Sequence, residues 1–304
     1  MPLGSVRAPD ELLPCLSTAI VLLWLARVCR VCVNSNNVLR RKMTHRDAGS
    51  PILITIPLSH YCEKARWALD RVGMAYREEA HAPLLHRLAT TRYDGGTVPV
   101  LVHGTARLVD STDILVHADA VGGGDLLYPR DAALRREVDA LEEQFDTELG
   151  PNTRRWAYAQ VLPHGKLIRS LWSRGVPRFE ASLIRVITPL VRRLVRGAYR
   201  ITPESAQRSL ERVRSVFRQV DERLRDRRPF LTGERFTAAD LTFAALAAPV
   251  LCPAECRAVQ PAFDALPAAM REEITRLRGT EAGQFALRLF ADERDSRWPM
   301  PAAS

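Results

Sequence analysis

From residue 51 onward the apolar and polar positions follow two distinct periods. The run ILITI (52–56) is short and β-branched, as expected of a fully buried strand. Residues 61–72 then place Tyr61, Ala65, Ala68, Leu69 and Val72 at helical spacing, with Gly73 closing the pattern. AYREEAHA (75–82) reads as a second strand, followed by a polar stretch containing His86 and TTRYDGG. Two apolar runs, VPVLV and ARLVD, are separated by His103-Gly104-Thr105, a hairpin signal, and Ser111 opens a further helical stretch, STDILVHADAV. The predicted order is βαβ, then a β-hairpin, then a helix. GGGD (122–125) breaks the pattern, and the chain beyond it is almost wholly helical: 131–149, 153–175, 179–199, 203–227, 237–251, 261–278 and 280–294.

These patterns divide the chain into an extension (1–50), an α/β domain (51–121), a linker (122–129) and an all-α domain (130–298). The extension holds the most apolar stretch, 12–33, whose uninterrupted part ends where Arg27 and Arg30 intervene, short of the roughly 20 residues a bilayer span needs. Three readings stay open for it: a weak membrane anchor or uncleaved signal, an Arg-bearing targeting segment, or a stretch preceding a true start at Met43.

Charge changes this picture only locally. The chain carries a formal charge of +9, but all of its basic residues except Lys42, Lys64 and Lys166 are Arg. An Arg- and Ala-rich bias follows genome composition as readily as function, so nucleic acid is not the expected partner. The excess concentrates in 154–228, where 19 basic residues face 6 acidic ones, and around 164–200 it looks like an insertion. That segment reads either as a solvated charged face over an apolar one, or as a helix docking on a membrane surface or a partner. Trp156, Tyr158, Trp172 and Phe179 within it are candidates for core or for the lining of an apolar pocket.

Six cysteines, unevenly placed, do not make a disulfide scaffold, and a reducing, cytoplasmic setting is expected, with membrane association through 12–33 as the alternative. Cys29-x-x-Cys32 has no second Cys or His pair at metal spacing, so no metal site is expected.

The chemistry concentrates in PLSHYCEKARWAL (57–69), where Ser59 lies between a strand and a helix, three residues before Cys62. In this setting SHYC resembles the Cys-Pro-Tyr-Cys of glutaredoxins with Ser59 in place of the first Cys, and it is similar to the Ser-Pro-Phe of plant-type glutathione transferases. TVPVL (97–101) resembles that superfamily's cis-proline strand, and Asp110-Ser111 its acidic-Ser pair. FLTGERFTAADLTFAAL (230–246) resembles its Ser/Thr-x-x-Asp capping segment, here Thr237 and Asp240. The resemblance spans 51–264 and implies a thioredoxin-like domain followed by an all-α domain, with glutathione as co-substrate, an electrophilic small molecule as second substrate, and a homodimer.

It also implies roles. A free thiol ionises near pH ~8.5, so a site that uses glutathione must favour its anion. Ser59 at a helix N-terminus offers both a hydroxyl donor and the helix dipole. The resemblance has Val98 and a cis Pro99 pairing with the cysteinyl unit of glutathione, and Asp110 and Ser111 holding its γ-glutamyl end. Alternatives remain for each residue: Ser59 and Ser111 as plain helix caps, and Pro99 as a trans edge-strand proline. Cys62 stands as a small apolar helix residue or as the nucleophile of a thioltransferase. A non-catalytic glutathione-binding scaffold is a further reading. His60 stands where the resembling motif has Pro, which leaves the turn less preset.

Overall fold

A computed structural model describes residues 50–93 and 95–296. The apolar segment 12–33, the Cys29/Cys32 pair and Met43 lie outside the described residues.

The first strand, β1 (Ile52–Thr55), is central, since Leu53 and Ile54 are fully buried. It pairs in parallel with β2 (Arg77–Ala80), Ile52 opposite Arg77, and antiparallel with β3 (Val100–His103), Ile54 opposite Val100. β3 forms the hairpin with β4 (Ala106–Leu108), giving the order β2-β1-β3-β4. Helix α1 (His60–Arg71) links β1 to β2, the crossover that a parallel pair requires.

The polar stretch after β2 is not a plain loop. It contains a short helix, α2 (His86–Thr90), and a 3₁₀ turn (Thr91–Tyr93). A single turn is too short to show a period in the sequence. It forms because Ala89 packs into the cluster of Ile54 and Val100, a contact made only once the sheet exists. Helix α3 (Ser111–Val121) completes this half, and its cap is Asp110 rather than Ser111: the Asp110 carboxylate accepts from the Thr112 amide at 2.8 Å, while Ser111 is buried in the first turn.

The second half is all helix. α4 (Ala132–Gln144) passes through a π-helical turn (Phe145–Leu149) into α5 (Gly150–Val161), with helical dihedral angles kept throughout. Pro151 lacks an N–H and cannot continue the ladder, and the Asp146 carbonyl five residues before it accepts instead from the Tyr61 hydroxyl at 2.9 Å. The stretch expected as one helix over 153–175 is two, because Pro163 ends α5 and α6 (Gly165–Ser173) restarts beyond it. α7 (Arg178–Ala198) then folds back against α6, and α8 (Pro203–Arg223), α9 (Ala238–Leu251), α10 (Ala268–Arg278) and α11 (Glu281–Glu293) complete the chain. α10 begins later than its pattern suggested, since Pro267 stands at its N-cap and only a 3₁₀ turn (Phe263–Ala265) precedes it. α9 is almost entirely buried, the central rod of this half. At its start Asp240 accepts from the amide and hydroxyl of Thr237 at 2.8 and 3.0 Å and from the Leu231 amide at 2.7 Å. Burial nevertheless pushes the Asp240 carboxyl up to about 6.

Together these elements form a thioredoxin-like α/β half followed by an all-α half. The two are clamped through α1. Trp67 stacks among Phe236 and Phe290, with ring centroids 6.0 and 4.8 Å away. Beside it, buried Arg294 reaches Glu63 Oε1 at 2.6 Å and Asp70 Oδ2 at 3.0 Å. No helix among the described residues is long and apolar enough to cross a membrane.

Candidate active site

Ser59 caps α1. Its backbone is extended (φ −77°, ψ 123°), its amide donates to the Ile56 carbonyl at 2.9 Å, and its Oγ accepts the Cys62 amide at 3.3 Å. A hydroxyl has one proton and two acceptor sites, so accepting the Cys62 amide does not use the Ser59 O–H. The residue is half-buried, at the positive end of a twelve-residue helix.

Cys62 is placed differently. It is fully buried, and that burial pushes its thiol up, against the smaller opposing influence of Arg66 and the Ser59 hydroxyl. A nucleophilic cysteine needs access and a lowered pKa. Cys62 has neither.

His60 ties the turn down. Its ring is buried, and Nε2–H donates to the Gly150 carbonyl on α5 at 3.0 Å. Burial, aided by the nearby Arg154 cation, holds the imidazole down to about 3, so it is neutral. The turn carrying Ser59 is thereby tied to the helical half. Tyr61 adds a second tie, its hydroxyl donating to the Asp146 carbonyl at 2.9 Å. Gly150 permits this closeness: a Cβ there would stand 2.3 Å from the Tyr61 hydroxyl oxygen.

The Val98–Pro99 peptide bond is cis, with Pro99 buried and Val98 half-buried at the start of β3. Asp110 and Ser111 stand at the N-terminus of α3. Next to them, Thr112 belongs to a buried polar cluster in which Lys64 Nζ contacts Thr112 Oγ1 at 3.0 Å, Asp146 Oδ2 at 2.6 Å and Glu142 Oε1 at 2.8 Å. Burial raises the Asp146 carboxyl, with Lys64 pulling it down. This cluster fixes α1, α3 and the π turn relative to one another, and with them Ser59 and Ser111.

The basic segment reaches the site. Gly175, at φ +71° in the turn between α6 and α7, lies against Pro57, two residues before Ser59; a Cβ there would be 3.3 Å from the proline ring. In the first turn of α7, Glu180 is buried and accepts from His81 Nδ1 at 2.6 Å and from the Ala82 amide at 2.7 Å, just after β2. Of the aromatics in this segment, Trp156, Tyr158 and Trp172 are core, while Phe179 is 53% exposed. Sequence reasoning missed Glu180 and the Arg154 cation beside His60. Charge counting treats every arginine alike, and the one acid among the basic residues of α7 was the only available signal.

Among the described residues no group of three or more His, Cys, Asp or Glu side chains is placed to hold a metal ion.

A strand-to-helix turn with a capping serine, a cis-proline before a strand and an acidic-Ser helix start stand together on a thioredoxin-like half followed by helices, the combination in which the sequence resembles the glutathione transferase superfamily. The comparisons agree. The family description "Glutathione S-transferase, N-terminal domain" matches residues 53–123, and "Glutathione S-transferase, C-terminal domain" matches 203–269. The chain belongs to the glutathione S-transferase superfamily. No curated protein matches it significantly. Similar solved structures include the beta-etherase LigF of Sphingobium sp. strain SYK-6, 18% identical, covering 79% of this chain and 99% of that one with a TM-score of 0.49. Another is the theta class glutathione S-transferase of the citrus canker pathogen Xanthomonas axonopodis pv. citri with glutathione bound, 17% identical, covering 79% and 97% with a TM-score of 0.47. Glutathione transferase F2 of Populus trichocarpa is 14% identical, covering 79% and 99% with a TM-score of 0.49.

Proposed function

We propose that the protein is a glutathione transferase in which Ser59 holds the glutathione sulfur as a thiolate for attack on an electrophilic small molecule. The observation that carries this reading is the position of Ser59: it caps α1, the cap does not use its hydroxyl proton, and the turn is braced by His60 and Tyr61. Lowering a thiol pKa by about two units takes about 2.7 kcal/mol of preference for the anion, within reach of one or two charge-assisted hydrogen bonds. In the proposed binding mode the main chain of Val98 beside cis Pro99 pairs with the cysteinyl unit, and Ser111 and Asp110 receive the γ-glutamyl carboxylate and ammonium. The thiolate forms a carbon–sulfur bond at the electrophilic carbon, the leaving group departs with its bonding electrons, and the thiol proton passes to solvent. The burial of Cys62 speaks against a disulfide-exchange cycle. The reading includes a homodimer.

The test is the ultraviolet thiolate band of glutathione titrated into the purified full chain at neutral pH. A saturable band in the native protein that the Ser59→Ala variant lacks supports the reading. Saturable binding without the band, or a band that persists in the variant, overturns the role of Ser59.

A further inference from the structure

Consecutive arginines on α5 are used in opposite ways. Arg155 is a strut, its Nε donating to the Tyr199 carbonyl at 3.0 Å and its guanidinium reaching Ser209 Oγ at 3.0 Å and Asn152 Oδ1 at 3.3 Å. Arg154 has no such bonds: its Nε is buried without a hydrogen-bond partner, and no ion pair to it occurs among the described residues. Two rings hold its guanidinium instead, the Tyr199 centroid 4.3 Å away and the Tyr61 centroid 5.6 Å away. The acids that act on the neighbouring Tyr61 are already engaged, since Asp146 pairs with Lys64 and Asp110 caps α3.

A buried donor left without an acceptor is destabilising, and a cation without a counter-ion at a half-buried site adds to that. Stacking on an aromatic face presets the planar fork while leaving its edge open, and that edge matches a carboxylate or sulfonate. The position fits a co-substrate. Tyr61 follows Ser59 by two residues at the start of α1, and Arg154 lies across from it on the helix to which His60 is tied.

We propose that Arg154, stacked on Tyr199, binds an anionic group, a carboxylate or sulfonate, on the electrophile that glutathione attacks. This rests on the transferase reading above and names its substrate class. Arg154 is then a specificity-determining residue, and the preferred electrophiles are amphiphilic anions rather than neutral apolar molecules.

The test uses the full chain, glutathione, and two probes that differ in one group: 4-chloro-3,5-dinitrobenzoate and its carboxamide. In each, sulfur bonds to the carbon bearing chlorine and chloride leaves with the bonding electrons. Corrected for the uncatalysed rates, the native protein is expected to favour the acid by about tenfold or more in kcat/KM, mostly through KM, which is the scale of one charge-assisted contact. Arg154→Gln should abolish the preference and Arg154→Lys keep part of it. Arg225→Gln, which removes an exposed cation on the chain after α8, should leave the preference intact. Ser59→Ala should slow both probes alike, separating the two claims. An equal preference in native protein and Arg154→Gln overturns the proposal, as does an equal loss on both probes in Arg154→Gln, which would mean that Arg154 acts on the thiolate. If neither probe is conjugated, the transferase reading fails on its own, and calorimetric titration with 3,5-dinitrobenzoate decides the anion site. Binding weakened about tenfold by Arg154→Gln sustains it; equal binding, or none, overturns it.

Discussion

The imidazole of His60 donates through Nε2 to the Gly150 carbonyl, 3.0 Å away and ninety residues distant in sequence. The bond joins the residue after Ser59 to the helix that carries Arg154, alongside the tie from the Tyr61 hydroxyl to the Asp146 carbonyl.

That neutrality has a pH cost. His60 titrates at about 3 in the folded protein, against an ordinary value near 6.5, so its contribution to stability is complete above pH 6.5 and declines as pH falls toward 3. Between pH 6.5 and 4.5 this one group accounts for up to about 2.7 kcal/mol. Urea unfolding at the two pH values should show a smaller loss in His60→Gln, which keeps a donor for Gly150 but cannot take up the proton. An identical loss in both proteins would assign the acid sensitivity elsewhere.

Gly150 should resist substitution by alanine. The added Cβ meets the hydroxyl and Cζ of Tyr61 at 2.3 and 2.7 Å, and a rigid ring cannot yield as a flexible chain end does. We expect Gly150→Ala to cost about 1–3 kcal/mol of unfolding free energy. In a Tyr61→Ala background the cost should shrink, the signature of direct contact in a double-mutant cycle.

Lys64 is buried with Glu142 and Asp146 against it. Lys64→Met leaves those carboxylates without their cation, and the loss at pH 7 should be about 3–5 kcal/mol. The deficit should narrow as pH falls toward 5. Asp146, already raised by burial, rises further without Lys64, and the folded variant then takes up a proton before the unfolded chain does. A deficit that stays constant with pH would contradict this account, as read from paired denaturation curves.

Glu180 fastens α7 to the α/β half through His81 and Ala82. Glu180→Ala should release the first turns of α7, seen as faster amide hydrogen exchange over 178–186, with the global midpoint moving less because the rest of α7 still packs on α6. Unchanged exchange in that stretch would mean that α6 alone holds the helix.

The sequence by itself carried the elements and the turn. β1, α1 and the β3–β4 hairpin were legible because a β-branched run, a helical period and a hairpin signal are local patterns, and each recurs where a short piece of chain has one stable way to hide its apolar face. Ser59 and Ser111 were legible as candidate caps for the same reason, since capping depends on immediate neighbours, whereas the cis state of Pro99 and the pairing of Asp110 with Ser111 were implied only by the resemblance to a known superfamily. Tertiary structure decided what depends on distant partners. Only packing against Ile54 and Val100 makes α2 a helix, and only the tie to Gly150 shows how His60 braces a turn from which the usual proline is missing. Arg154 and Arg155 are identical letters side by side, yet one is bonded to Tyr199, Asn152 and Ser209 while the other is left open between two rings. A charge acquires its role from the groups that surround it in space, and those groups come from elements far apart in the chain.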